Sequence, residues 1–176
     1  SLLIVGGGYV GMEKLSTVLQ NSPKANIRLL ATHISEDIKS LAAGKSNVEL
    51  IERPYQSTDI ADADIIICAV NDAALSEQVS KDAKGQGKLI NAADKPALCD
   101  FYLGSIVQKG SLKIAISTNG KSPTIAKRVK EVLDNSLPDE IDALLNSMQK
   151  IRNKLSGDFT EKVKQLNEIT KKLSQD

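Results

Sequence analysis

The chain of 176 residues has no tryptophan, only two phenylalanines and three tyrosines, and a single histidine, His33. So few aromatic rings exclude the stacking platforms on which single-stranded nucleic acid lies, so no nucleic-acid partner is expected. Two cysteines, Cys68 and Cys99, form no CxxC pair, and one histidine does not complete a zinc set with them. Their scarcity in a Lys- and Glu-rich chain fits a reducing, cytoplasmic setting. No apolar run reaches ~18 residues, so no membrane partner is expected. No basic-then-apolar leader precedes Leu2, which predicts no secretory signal. Net charge is only +1, too little to steer the whole molecule to a polyanion. The charge is uneven, however. Residues 1–100 hold 10 basic and 13 acidic side chains, and residues 101–176 hold 13 and 9. The basic second part suits an anionic ligand, or is a set of solvated helix faces.

Up to about residue 95, short apolar runs alternate with helical patterns. Leu2–Val5, Asn26–Thr32, Val48–Ile51, Asp64–Val70 and Lys88–Ala92 read as strands, and Val10–Gln20, Ser35–Gly44 and Asp72–Lys84 as helices. The order predicts an α/β fold, a Rossmann-type parallel sheet whose ligand lies at the carboxyl ends of the strands. Phe101–Gln108 and Leu112–Thr118 then read as a hairpin about Lys109-Gly110, and Ser122–Ser136 as a helix with Pro123 in its first turn. Ile141, Leu144, Leu145, Met148, Ile151 and Leu155 share one helical face, and Val163, Leu166, Ile169 and Leu173 another. This predicts a small C-terminal helical hairpin.

Gly6-x-Gly8-x-x-Gly11 follows the first strand and opens the first helix, the context a dinucleotide fingerprint requires. Gly6 makes the turn, Gly8 admits the pyrophosphate and Gly11 lets helix and strand pack, with Tyr9 and Val10 at the helix start. The acid expected at the end of the second strand is missing; Ala31-Thr32-His33 stands there. Thr32 offers a ribose hydroxyl a partner, and His33 either meets the adenosine or is a surface residue. No arginine is there to favour a 2′-phosphate, so NAD is preferred to NADP. The fourth strand ends at Ala69 and Val70, on the same edge of the sheet.

Past the fifth strand, Asn91-Ala92-Ala93-Asp94-Lys95-Pro96 carries one carboxylate at the strand mouth. Asp94 is either a turn residue or a group that takes and gives a proton. Nothing pairs Cys99 with a base, so it reads as structural. Ser117-Thr118-Asn119-Gly120-Lys121-Ser122 is a donor-rich loop before a helix. It is not a P-loop, because Ala115 stands where the first glycine belongs. A helix cap and a carboxylate-binding loop remain equal readings of it.

GGGYVGMEK, AVND, NAADKP, DFYLGSIV, ISTNGKSP and NSLP, in this order, resemble the signature segments of the precorrin-2 dehydrogenase/sirohydrochlorin ferrochelatase family, the N-terminal module of siroheme synthase. The resemblance implies a Rossmann domain over residues 1–99, a dimerisation region over 100–137 and a small helical domain over 138–176. It implies an enzyme that dehydrogenates precorrin-2 to sirohydrochlorin with NAD, working as a homodimer. In bifunctional members Fe2+ is then inserted as a chelation substrate. Asp94 matches the family's catalytic aspartate. Gly6, Gly8, Tyr9, Val10, Gly11, Thr32, His33, Ala69 and Val70 match the cofactor side. Asn91, Ser117, Thr118, Asn119, Gly120 and Lys121 match the side of the polycarboxylate tetrapyrrole. Gly11 replaces the family's usual alanine, which is expected to be harmless. The reading from another class is a non-catalytic nucleotide-sensing domain, which has no reason to contain ISTNGKSP.

Overall fold

The structure, a computed structural model, describes residues 1–171. Two compact units form, one of residues 1–103 with 119–121 and one of residues 104–118 with 122–176, of which residues up to 171 are described.

The first unit is built on a parallel sheet. Its strands are β1 (Leu2–Val5), β2 (Ile27–Ala31), β3 (Val48–Glu52), β4 (Ile65–Cys68) and β5 (Leu89–Ala92), in spatial order β3-β2-β1-β4-β5. Helices α1 (Tyr9–Asn21), α2 (Glu36–Ala42) and α3 (Ala73–Gly85) connect them. Successive strand residues point to opposite faces, and both faces of the sheet's centre are covered, which is why β1 and β4 read as unbroken apolar runs, whereas the edge strand β3 exposes Glu49 and Glu52. Leu3, Val5, Ile66, Cys68 and Ile90 pack with Val79 and Ala83 of α3. Ile4, Leu29 and Ile67 pack on the other face with Leu15 and Val18 of α1 and Ile38 of α2. The strand order reverses between β1 and β4, so the loops after those strands diverge and leave a crevice.

The second unit holds the antiparallel hairpin of β6 (Ser105–Lys109) and β7 (Leu112–Ile116), followed by α4 (Pro123–Ser136), α5 (Ile141–Lys154) and α6 (Phe159–Thr170). Gly110, at φ +55, makes the hairpin turn; a Cβ there would fall 2.3 Å from the carboxyl group of Asp142. That carboxylate accepts the Ser111 N–H at 2.7 Å. Ser122 caps α4 by accepting the Ile125 N–H. Val107 and Ala126 are buried between hairpin and α4, whereas α5 and α6 bury no residue fully among those described. The expected apolar face of α5 is half-buried, but Val163 and Ile169 of α6 are exposed, and Leu173 lies outside the described residues.

The hairpin is shorter than expected. Phe101–Gly104 does not form strand, because this segment is tied to β5 instead. Asp100 accepts the Ile90 N–H through its carboxylate and donates its own N–H to Ile90 O, and Phe101 O accepts the Asn91 amide at 2.9 Å.

Candidate functional site

The β1–α1 turn is made of close backbone contacts. Gly6 has φ +130, and a Cβ there would lie 2.3 Å from Ala69 O. A Cβ on Gly7 would lie 2.2 Å from His33 O. Glycine at both positions lets the loops after β1, β2 and β4 touch main chain to main chain. Gly8 is different: a Cβ there meets nothing within 4 Å. The space in front of it is open, as a phosphate approaching the backbone requires. Gly8 also N-caps α1 without a side-chain hydrogen bond, and the first turn of α1 has no acidic residue. The helix therefore presents uncapped N–H groups to that space. These residues fit a dinucleotide pyrophosphate.

Gly11 is a third close approach: a Cβ there would stand 2.1 Å from Gly6 O, so this backbone accommodates glycine where an alanine would clash. Gly11 lies behind the turn as a packing residue.

A cleft of about 300 Å³ opens above the turn, lined by Gly6, Gly8, Tyr9 and Val10, by Thr32 and His33 after β2, and by Ala69 and Val70 after β4. Tyr9 stands at its rim, 86% exposed. Gly7 and Asn71, at the expected strand ends, also line the cleft, as do Tyr55 and Leu75, which the sequence reading did not single out. Tyr55 is a fixed wall. Its hydroxyl donates to Asp82 at 3.0 Å, and burial together with that carboxylate pushes its pKa far up.

The acid missing after β2 has a neighbour on β3. Parallel register sets Glu52 beside Ala31. Glu52 Oε1 accepts the Ile34 N–H at 3.0 Å and lies 3.6 Å from His33 Nδ1. Only the strand pairing, which local sequence does not display, brings it there.

Asp94 lies just past β5, exposed, at φ +57, with no hydrogen-bonding partner among the described residues. Its neighbour turns inward. Lys95 Nζ donates to Ser76 Oγ at 2.6 Å, to Val70 O at 3.3 Å and to Asp72 O at 3.4 Å. Among the described residues, Asp94 and Asn119 are the two non-glycine positions at positive φ. Such backbone strain gathers at functional sites. Asn91 is buried and spends its amide on Phe101 O and Cys99 Sγ, so it supports the loop from behind. Cys99 is structural, as expected: its Sγ accepts the Ala92 N–H at 3.2 Å and donates to Ala92 O at 3.1 Å. Burial also pushes the Cys68 thiol up.

Gly120, at φ +76, sits against the ring of Tyr102, with Asn119 and Lys121 on either side. Ser117 and Thr118 follow β7 in the second unit, where Thr118 Oγ1 accepts the Ser122 N–H at 3.1 Å. The helix-cap reading of this loop therefore holds for Thr118 and Ser122. Among the described residues no three His, Cys, Asp or Glu side chains gather as a metal-holding group. No helix among them is long and apolar enough to cross a membrane.

Residues 1–105 match the family described as "Putative NAD(P)-binding", and residues 109–136 match "Sirohaem biosynthesis protein central". Siroheme synthase of Pseudomonas fluorescens is 33% identical over 156 residues, 89% of this chain and 33% of that protein. Siroheme synthase of Psychrobacter cryohalolentis is 34% identical over 163 residues, 93% of this chain and 29% of that protein. The chain thus spans about a third of the length of these curated relatives. A solved structure titled SirC, precorrin-2 dehydrogenase, superposes with a TM-score of 0.71 at 26% identity, covering 96% of this chain and 83% of that one. A glycine turn open to a phosphate, a Rossmann sheet behind it and matches along both units lead to one conclusion: the chain belongs to the NAD(P)-binding precorrin-2 dehydrogenase family of siroheme synthesis.

Proposed function

We propose that the protein is an NAD-dependent precorrin-2 dehydrogenase that yields sirohydrochlorin. The observation that carries this reading is the pairing of two features in the first unit: a cleft whose glycine floor is open only at Gly8, and Asp94 held at positive φ past β5. NAD, when bound, supplies the acceptor for the hydride. Gly6, Gly8, Tyr9, Val10, Thr32, His33, Ala69 and Val70 bind and orient it, and Gly11 keeps α1 close enough to β1 for the helix start to face the pyrophosphate. Oxidising precorrin-2 by two electrons releases a proton besides the hydride, and Asp94 takes that proton. Asn91 holds the Asp94 loop. Ser117, Thr118, Asn119, Gly120 and Lys121 meet carboxylates of the tetrapyrrole through hydroxyl, amide, backbone and ammonium donors.

Fe2+ insertion into sirohydrochlorin is the second activity in this reading. There Asp94, open to solvent, takes the two pyrrole protons one after the other and releases each to water as the metal enters, and iron is a substrate that the protein passes to the macrocycle. The protein works in the cytoplasm as a homodimer. The support for a dimer is the row Ile125, Val129 and Val132 on α4, 56%, 40% and 62% exposed. The match of residues 109–136 to the sirohaem central family weighs against the nucleotide-sensor reading. The test is NADH formation from NAD and freshly made precorrin-2; absence of NADH from folded protein refutes the dehydrogenase reading. An iron-insertion rate equal to the spontaneous one refutes the chelatase alone.

A further inference from the structure

We infer that Glu52 is the residue that selects NAD over NADP, supplying from β3 the carboxylate that β2 lacks. The inference rests on the dinucleotide reading above and deepens it.

A dinucleotide whose pyrophosphate lies on Gly8 and the start of α1 carries its adenosine toward the end of β2. That end is Ala31-Thr32-His33, with Thr32 and His33 lining the cleft. No acid is present in those three residues. The parallel pairing Ala31↔Glu52 brings the last residue of β3 to the same edge. One carboxylate oxygen, Oε1, is fixed by the Ile34 N–H at 3.0 Å, which sets the side chain's direction. The same oxygen lies 3.6 Å from the ring of His33, which is a cleft-lining residue. The second oxygen takes no hydrogen bond among the described residues and remains available to a ribose hydroxyl.

The charges around it argue for the same selection. A 2′-phosphate needs a cation at this rim. Lys39 lies within the field of Glu52, but its ammonium is bound to Glu36 at 2.9 Å. Arg53, the next residue in the chain, is turned away and spends its guanidinium on both oxygens of Asp59. The nearby lysine and arginine are thus both paired with other acids, and the Glu52 carboxylate repels a second anion placed beside it. Tethering Ile34 alone does not require a charge, because a glutamine oxygen accepts that hydrogen bond equally well. This separates a loop tether from a specificity residue.

The experiment measures NAD and NADP binding by calorimetry at pH 8 on the whole chain, wild type and Glu52→Gln, with melting temperatures as the check of folding. Wild type is expected to prefer NAD by at least about tenfold, and Glu52→Gln to lose most of that preference, chiefly by binding NADP more tightly. A measurement on wild type alone supports it independently: added salt narrows the preference by strengthening NADP binding, because a charge carries it. A wild type that binds NADP as tightly as NAD overturns the inference. So does a preference that neither Glu52→Gln nor salt moves by more than about twofold. If NAD binds and the ratio stays fixed, only the inference falls; if neither dinucleotide binds, the reading beneath it falls as well.

Discussion

Replacing Asp94 by glycine, asparagine and alanine separates chemistry from turn formation, because the two roles order the variants differently. Asp94 has φ +57, in the left-handed region. An ordinary L-residue is about 1–2 kcal/mol worse than glycine there, and Asp and Asn are tolerated better than alanine because their side chains bond locally. Glycine relieves the strain but loses more freedom on folding, by ~0.5–1 kcal/mol. Glycine should therefore leave stability unchanged or raise it by up to about 1 kcal/mol, and asparagine should match aspartate. Alanine should lose about 1 kcal/mol. Activity follows another order if the carboxylate moves the proton: all three variants lose NADH formation by roughly 100-fold or more, including the most stable one. NADH absorbance with fresh precorrin-2 and thermal melts on the same samples read both orders, and NAD affinity should stay near wild type. A glycine variant that is stable and retains activity within about threefold refutes the role given to Asp94 and leaves it a turn residue.

Gly8 and Gly11 should behave as opposites. Gly8→Ala should cost less than about 1 kcal/mol of stability yet weaken NAD binding at least tenfold, whereas Gly11→Ala should lose about 2–3 kcal/mol through the clash with Gly6 O. Denaturant melts and calorimetry check both. The Arg53 guanidinium, aided by the Gln56 N–H, holds the Asp59 carboxyl below its usual range. The folded pKa is the lower one, so this stabilisation is complete above the unfolded value of about 3.9 and is lost as pH falls through the folded one. Asp59→Asn should cost about 2 kcal/mol at neutral pH and remove that part of the acid sensitivity, read from melts across pH 2–7. Val132→Asp on the exposed row of α4 should convert a dimer to a monomer in sedimentation without melting the first unit; an unchanged mass would place the interface elsewhere.

The sheet was legible because its central strands β1 and β4 are buried on both faces and so appear as short unbroken apolar runs, with β2 and β5 nearly so. The glycine turn was legible because its requirement is local: positive φ and close approach within a few residues. What escaped is what depends on pairing between distant segments. Glu52 reaches the β2 end only through strand register, and Tyr55 and Leu75 line the cleft only once β3 and β4 are in place. Phe101–Gly104 has the composition of a strand, yet Asp100 and Asn91 hold its start against β5. Gly11 shows the same limit from the other side: a neighbour five residues back, Gly6 O, leaves no room for a Cβ, a close approach that the sequence does not display.

The floor of the cleft is main chain. At Gly6 and Gly7 the peptide groups of three loops lie against one another, with no side chain between them. Such a surface offers substitution nothing to trim or extend: any added carbon breaks it, and none can be taken away. Drift in cofactor preference is therefore channelled to side chains around it, such as the exposed Tyr9 and His33, which can change without disturbing the ground beneath. A lineage of this protein can alter which dinucleotide it welcomes far more readily than whether it holds one.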